Sequence, residues 1–254
     1  MDSDSQEYKK KKAFFDSLFT VYGRKPVLEA LQADTQPFRL HLSERNRPAS
    51  IIDQIIELAS ARGAEVFYHS SAALSRISKN AKQDQGVALD IRCPSFQSLD
   101  QFLTAQQTSN CILALDRITN PQNLGMIIRS VAASPASALL LPKKGCSPLN
   151  SLVIKASAGA LFKAPIVQTD DLVETLKACK DKGFKIASLT LNAPESVLNF
   201  SLEAPTIFVL GNETEGVSDQ IAALCDLSLK IPMERGVESL NVAVTASLIA
   251  FSIR

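Results

Sequence analysis

Hydrophobic positions change character along the chain. From residue 111 onward they come as short, nearly uninterrupted runs: Cys111 to Leu115, Ala138 to Leu141, Ala164 to Val167, Lys185 to Leu191, Thr206 to Leu210 and Leu227 to Ile231. Between them lie stretches with helical spacing: Leu124 to Ala133, Leu149 to Ser157, Asp171 to Lys182 ending at Gly183, and Ser218 to Leu224. Apolar runs of strand length that alternate with helices predict a mostly parallel sheet covered on both faces. The front of the chain alternates shorter segments. A helix over residues 26–32, starting at Pro26, is followed by strand Phe38 to Leu42, helix Ala49 to Ala61, strand Glu65 to Tyr68, helix Ala72 to Ile77 and strand Val87 to Arg92. The last stretch, IPMERGVESLNVAVTASLIAFSIR, passes from a strand through Pro232 and a turn around Gly236 to Ser239, Leu240 and Asn241, which open an almost wholly apolar helix.

The expected fold class is therefore α/β, with a small front domain and a larger parallel-sheet domain. The expected boundaries are a disordered or extended tail over residues 1–20, a small α/β domain over 21–93, a polar, Gln-rich linker built around an amphipathic helix over 94–109 and the larger domain over 110–254. No internal repeat or low-complexity block interrupts this order. A length of 254 residues, 46% of them hydrophobic, suits two compact units.

Charge changes little in this picture. The formal net charge is +1, so no overall field announces a nucleic-acid partner or excludes one. The tail carries Lys9 to Lys12 in a row, for which a solvated segment is expected in preference to an RNA-gripping arm. Five cysteines, Cys93, Cys111, Cys146, Cys179 and Cys225, stand singly, and the histidines are His41 and His69. No zinc site can be assembled at these spacings, and the odd cysteine count without a signal peptide leads us to expect a reducing, cytoplasmic setting. No apolar run approaches the length of a membrane span.

Candidate chemistry gathers in three loops, each directly after a predicted strand. In an α/β sheet such loops, at the carboxyl ends of the strands, are where ligands usually bind. The first, DRITNPQNLGMIIR over residues 116–129, holds Asn123 as a candidate helix cap, Gly125 for close backbone approach, and Arg129 in an otherwise apolar helix. Arg129 must meet water or an anion, as a core-edge ion pair or as a phosphate contact. The second, GNETEGVS over residues 211–218, has the glycine spacing of a phosphate-cradling loop, but Val217 stands where a lysine is needed and Glu213 and Glu215 repel phosphate. A nucleoside triphosphate site is therefore not expected. A flexible acidic loop suited to a neutral or cationic ligand remains. The third loop brings Ser239 and Asn241. No Ser/His/Asp set or Cys/His pair is available for nucleophilic hydrolysis, and no glycine-rich turn follows ILALD for a dinucleotide. In the front half, Gln85 and Gly86 form either an ordinary turn or an RNA contact.

At these three loops the sequence resembles the SpoU (TrmH) family of S-adenosylmethionine-dependent RNA ribose 2'-O-methyltransferases, in the SPOUT superfamily. NPQNLGMIIRS, VLGNETEGVS and IPMERGVESLNVAVTA stand in the order and spacing of its three motifs, with SAGA at residues 157–160 between the first two. VYGRKPVLEAL and QGVALDI are similar to the family's RNA substrate-binding domain, of the L30e ribosomal-protein fold. The resemblance implies a larger domain with a deep trefoil knot, one of the rare exceptions to unknotted chains. It implies S-adenosyl-L-methionine as cofactor, with Gly211, Ile231 and Leu240 at the ligand and Leu210, Asn212, Met233 and Asn241 beside it. It puts Asn123, Arg129, Glu213, Ser239 and Asn241 at the reacting ribose, in a homodimer in which Arg129 reaches across from the partner subunit.

Large-subunit (23S) rRNA guanosine is the implied target, tRNA the second, and a catalytically silent RNA-binding relative the alternative class. The implied chemistry is an in-line displacement without metal. A guanidinium is protonated by default, so Arg129 is expected to clamp a phosphate and stabilise the forming oxyanion, with Ser239 or water relaying the proton and with Asn123 and Glu213 fixing each other. Two positions depart from the family pattern. Pro135 stands where glycine is common, and Arg235 stands one place before Gly236, where the motif's glycine usually sits. The apolar C-terminal helix, Ser239 to Ile253, is expected between subunits or else as plain core.

Overall fold

A computed structural model of the chain describes residues 14, 18–33, 35–78, 83–93, 96–105 and 111–252. The chain divides into two compact units, Met1–Pro94 and Ser95–Arg254.

The first unit is built on a four-stranded sheet of order β1-β4-β2-β3, from β1 (Leu18–Tyr22), β2 (Gln36–Ser43), β3 (Glu65–His69) and β4 (Val87–Arg92). β4 pairs antiparallel with β1 and β2, while β2 and β3 run parallel across the crossover helix α2 (Ser50–Ala61). Helices α1 (Arg24–Gln32) and α3 (Ser71–Ser78) complete the unit. Leu40, Leu42, Leu89 and Ile91, each no more than 1% exposed, fill its core with Val27 and Ile55. The tail expected over residues 1–20 is shorter than that. Leu18 to Thr20 belong to β1, because the half-apolar run LFTVY pairs along the free edge of β4. Residues 1–13 and 15–17 lie outside the described residues.

The second unit carries a seven-stranded sheet, order β7-β6-β5-β10-β8-β11-β9, in which every paired strand is parallel. Its strands are β5 (Cys111–Leu115), β6 (Ala138–Pro142), β7 (Ile166–Thr169), β8 (Lys185–Leu189), β9 (Glu195–Ser196), β10 (Thr206–Leu210) and β11 (Leu227–Lys230). β5, β6 and β10 are buried along their whole length, as parallel strands covered on both faces must be. The segment expected as a linker belongs to this unit. Gln97 bridges to Val167, and helix α4 (Leu99–Thr104), closed by a capping box between Ser98 and Gln101, sinks Phe102 into the core beside Phe184. One apolar side per helical turn suffices to bind a segment that composition alone reads as polar.

The remaining helices are α5 (Pro121–Ala133), α6 (Ser151–Ala156), α7 (Leu172–Asp181), α8 (Asp219–Ala222) and α9 (Val242–Ser252). α5 packs against α6 through Gly125, where an added Cβ would stand 2.4 Å from the Ala156 Cβ. α5 stops at Ala133 because Ser134 is extended ahead of Pro135, which disfavours helical backbone in the preceding residue. α9 crosses back to lie on α5 and the adjacent strands β5 and β10, joined to α5 by a 2.7 Å bond between the Ser130 and Ser247 hydroxyls. No helix among the described residues is long and apolar enough to cross a membrane.

Candidate active site

The loops after β5, β10 and β11 leave the sheet at its carboxyl edge, and three side chains, one from each, meet there. Asn123 sits in the first turn of α5. It does not cap that helix: Asn120 does so, accepting from the backbone of Gln122 at 2.8 Å and of Asn123 at 3.3 Å, with Pro121 in the first position. Freed from capping, Asn123 donates from Nδ2 to the Glu213 carboxylate and accepts at Oδ1 from Asn241 Nδ2 at 3.1 Å. Asn241 in turn opens α9, its Oδ1 accepting the Ala243 N–H at 2.9 Å. The chain Glu213–Asn123–Asn241 therefore ties all three loops together and fixes the Asn123 amide orientation, since one end must donate and the other accept.

A second set of contacts holds the acidic loop in shape. Asn212 accepts at Oδ1 from the Thr214 and Glu215 N–H groups at 2.9 and 3.3 Å and donates to the Arg117 carbonyl at 3.2 Å. Its side chain is committed to its own loop. Gly211 has to be glycine for a reason of space: an added Cβ would lie 2.2 Å from the Gly216 carbonyl carbon, where the loop folds back on itself. Sequence reasoning missed Arg117. Held in a left-handed backbone (φ 59°), it binds the Glu215 carboxylate and donates to the Gly216 carbonyl at 3.1 Å, while Asp116 accepts the Ser218 N–H at 2.7 Å. The signal available in the sequence was a charged pair, Asp116-Arg117, directly after an apolar strand.

The other expected residues are placed as follows. Leu210 is 3% exposed at the end of β10, and its carbonyl takes the Asp116 N–H at 2.9 Å. Ile231 and Met233 are half-buried, and Leu240 is exposed. The side chains of Ser239 and Arg129 are exposed and bond to no described residue. Arg129 lies six positions beyond Asn123, about 120° apart around the helix, so it projects from a different flank than the Glu213–Asn123–Asn241 chain. Ser130, one residue further on, is the one that returns to the Asn123 side.

The geometry suits a neutral or cationic ligand held chiefly through backbone. Among the backbone N–H groups of residues 233–241, that of Val237 alone bonds within the described chain, to the Glu234 carbonyl. The free donors and acceptors lie beside the exposed apolar side chains of Val237 and Leu240. Arg235 takes the left-handed conformation (φ 56°) that a glycine would adopt without strain, immediately before Gly236 at φ 74°. S-adenosylmethionine, with an apolar-faced adenine, polar edges and a cationic sulfonium, fits such a loop set. Thiol chemistry does not compete: burial pushes Cys111 and Cys179 up to about 12, leaving them as thiols at neutral pH.

Comparison with known proteins gives this arrangement a family. Residues 110–251 match the SpoU rRNA Methylase family, and residues 20–97 match the family described as RNA 2'-O ribose methyltransferase substrate binding. The chain belongs to the SpoU family. Membership makes it an RNA methyltransferase that depends on S-adenosyl-L-methionine. Among curated SpoU relatives is YacO of Bacillus subtilis, named as a TrmH family tRNA/rRNA methyltransferase, 30% identical over 92% of this chain and 94% of its own. A tRNA/rRNA methyltransferase of Mycolicibacterium smegmatis is 29% identical over 94% of this chain and 76% of its own. Among solved structures, the SpoU methyltransferase AviRb of Streptomyces viridochromogenes, in complex with AdoMet, aligns with a TM-score of 0.62 at 22% identity, over 98% of this chain and 92% of that one. An AdoMet-bound rRNA methyltransferase of Sinorhizobium meliloti gives the same score and identity over 98% and 89%. At that identity the likeness establishes the SpoU fold.

Proposed function

We propose that this protein methylates a ribose 2'-oxygen of RNA, with a guanosine of large-subunit (23S) rRNA as the leading target and tRNA second, and that it works in the cytoplasm as a homodimer. The observation that carries this reading is the hydrogen-bonded chain Glu213–Asn123–Asn241, which builds one polar pocket from three loops and leaves its backbone groups free for a ligand. The front unit supports the ribose assignment, since it matches a substrate-binding family described for 2'-O methylation. The deep trefoil knot belongs to the same reading, supported by the return of α9 from β11 across β10 to β5 and α5.

Bound S-adenosylmethionine supplies an electrophilic methyl carbon on its sulfonium. Gly211, Ile231 and Leu240 hold it by backbone and apolar contact, with Leu210, Asn212 and Met233 shaping the wall. Ser239, in the third loop, would relay to water the proton released when the 2'-oxygen is methylated. Asn123, fixed between Glu213 and Asn241, keeps the pocket rigid while the oxygen approaches. Arg129 of the partner subunit clamps the neighbouring phosphate and balances charge developing on the oxygen, which explains an exposed arginine side chain bonded to no described residue of its own subunit.

Dimerisation is supported by a leftover apolar stripe. α9 buries Val242, Ala246 and Ile249 within its own unit but exposes Val244 and Phe251, and α5 exposes Met126. A pair of subunits joined along α5 and α9 covers these side chains.

The test is methyl transfer from labelled S-adenosylmethionine to unmodified rRNA and to tRNA, followed by nucleoside mass spectrometry, with Asn241→Ala as control. A 2'-O-methylnucleoside absent from the control supports the reading, and the RNA that carries it names the target. Base methylation, or no transfer to either RNA, overturns it.

A further inference from the structure

The outer face of the first unit's sheet carries a stripe of rings and guanidinium groups that the chemistry above does not use. Its cause is local. The register of β2 against β4 shifts between Pro37 and Arg39, and a bulge of this kind re-aims side chains, so that neighbours Phe38 and Arg39 both serve one patch. The Arg39 guanidinium carbon lies 4.6 Å from the Phe38 ring centre and 5.5 Å from that of Phe67 on β3. Arg92, at the end of β4, stands 4.6 Å from Phe38 on its other side. Phe14 meets Phe38 edge-on at 5.2 Å. Beyond Phe67 the rings of His41 and His69 continue the row, stacked at 6.0 and 6.4 Å. Phe67 is 39% exposed on a strand at the sheet's edge.

The charges on this face are unequal in their freedom. Arg39 is offset by the exposed Glu65 at 3.4 Å, and Asp90 is turned inward to His41 Nε2 at 3.1 Å and the Thr20 hydroxyl at 2.6 Å. Arg92 is exposed and pairs with no carboxylate among the described residues. The Phe14 ring is seated on the stripe. A concavity beside the Phe38 ring is walled by Gln36, Arg62, Glu65 and Arg92. Exposed aromatic faces interleaved with cations suit unpaired bases and their phosphates. A duplex, whose bases are already stacked, has no use for such rings.

We propose that this face is a stacking platform for single-stranded RNA. Phe67 and the guanidinium plane of Arg39 take successive bases, while Arg92 takes the phosphate backbone. The proposal deepens the RNA methyltransferase reading by naming the form of RNA the first unit grips: an unpaired loop or bulge. It places this contact on a surface separate from the three-loop pocket.

The experiment measures binding of the full-length protein to a fluorescein-labelled single-stranded RNA of mixed sequence, about twelve nucleotides long, by anisotropy, with a hairpin stem of equal length as competitor. Phe67→Ala and Arg92→Gln are each expected to weaken binding, Phe67→Ala by between about fivefold and a hundredfold, the loss of one base stack. The hairpin stem is expected to compete poorly. Should Phe67→Ala fail to fold, Phe67→Leu keeps the apolar bulk, removes the ring face and is expected to show the same loss.

Wild-type affinity in Phe67→Leu and Arg92→Gln, or equal competition by the stem, overturns the platform. Calorimetric titration of the same variants with S-adenosylmethionine, expected unchanged, separates the two readings. A wild-type protein that binds the RNA but not the cofactor sinks the methyltransferase mechanism and leaves the platform standing. Methyl transfer that persists with unaltered RNA affinity in the variants sinks the platform alone.

Discussion

Asn123 donates to the Glu213 carboxylate across 90 residues of sequence, and in doing so joins the start of α5 to the loop after β10. Asn123→Ala leaves Glu213 without this donor and Asn241 without its acceptor. A hydrogen bond to a charged group contributes about 1.5–3 kcal/mol, so methyl transfer is expected to fall by about 10- to 150-fold. Because all three side chains are at least partly exposed, the melting temperature should move little. Steady-state kinetics beside a thermal scan checks this. A large loss of stability with normal turnover in the folded fraction would make the chain structural only.

Gly125 gives a prediction in which two effects oppose each other. Alanine in a helix interior is favoured over glycine by about 1 kcal/mol. Here the new methyl would stand 2.4 Å from the Ala156 Cβ, 2.8 Å from the Val153 carbonyl oxygen and 3.0 Å from the Ser157 nitrogen. Two of those atoms are backbone and cannot rotate away. Overpacking costs about 1–3 kcal/mol, so the clash wins, and Gly125→Ala is expected to destabilise the protein by up to about 2 kcal/mol. Denaturant titration reads the sign, and a stabilised variant would show that α5 and α6 can part freely.

How much of this was legible in the sequence depends on the distance over which each feature is decided. β5 and β10 were read to the residue because four or five apolar side chains in a row have few alternatives in an α/β chain. β1 was missed, since LFTVY becomes a strand only by pairing with Val87–Arg92 some 70 residues away. The supposed linker was misread because the docking of Phe102 depends on Phe184, which local composition cannot reveal. At the site, the resemblance singled out Asn123, Glu213 and Asn241 and led us to expect the contact between Asn123 and Glu213, while the bond from Asn241 to Asn123 came from the fold. The capping role assigned to Asn123 went to Asn120 because the helix starts at Pro121, three residues ahead of the expected Leu124, which leaves Asn123 inside its first turn. Arg117 gave no motif signal, and its function rests on Glu215 at a separation of 98 residues.

The first unit holds an acid-sensitive contact. His41 Nδ1 meets His69 Nε2 at 2.9 Å, and burial, with the His41 imidazole beside it, holds His69 below its ordinary value of 6.5; the nearby Glu44 opposes this weakly. A histidine depressed in the folded state takes up its proton more readily when unfolded. Stability is therefore complete above about pH 6.5 and falls as pH drops below it, with a slope of at most one proton. The melting temperature of wild type should decline from neutral pH toward about pH 5.5 more steeply than that of His69→Gln. Parallel curves would place the proton uptake on a group other than His69.

The shared site makes the most demanding prediction. If Arg129 serves the partner's pocket, Arg129→Ala and Asn241→Ala are both inactive as pure dimers, yet a mixed dimer contains one pocket in which both residues are intact. Random exchange between equal amounts of the two variants makes half the dimers mixed, each with one good site of two, so activity should recover to about a quarter of wild type. An arginine acting within its own subunit gives no recovery, because no single chain then holds both residues. Glutamate at the exposed Phe251 supplies the control: a charge set into the apolar stripe of α9 should block exchange and abolish the recovered activity, and sedimentation should show monomers. Recovery that survives in the Phe251→Glu background would mean that the subunits meet through another face.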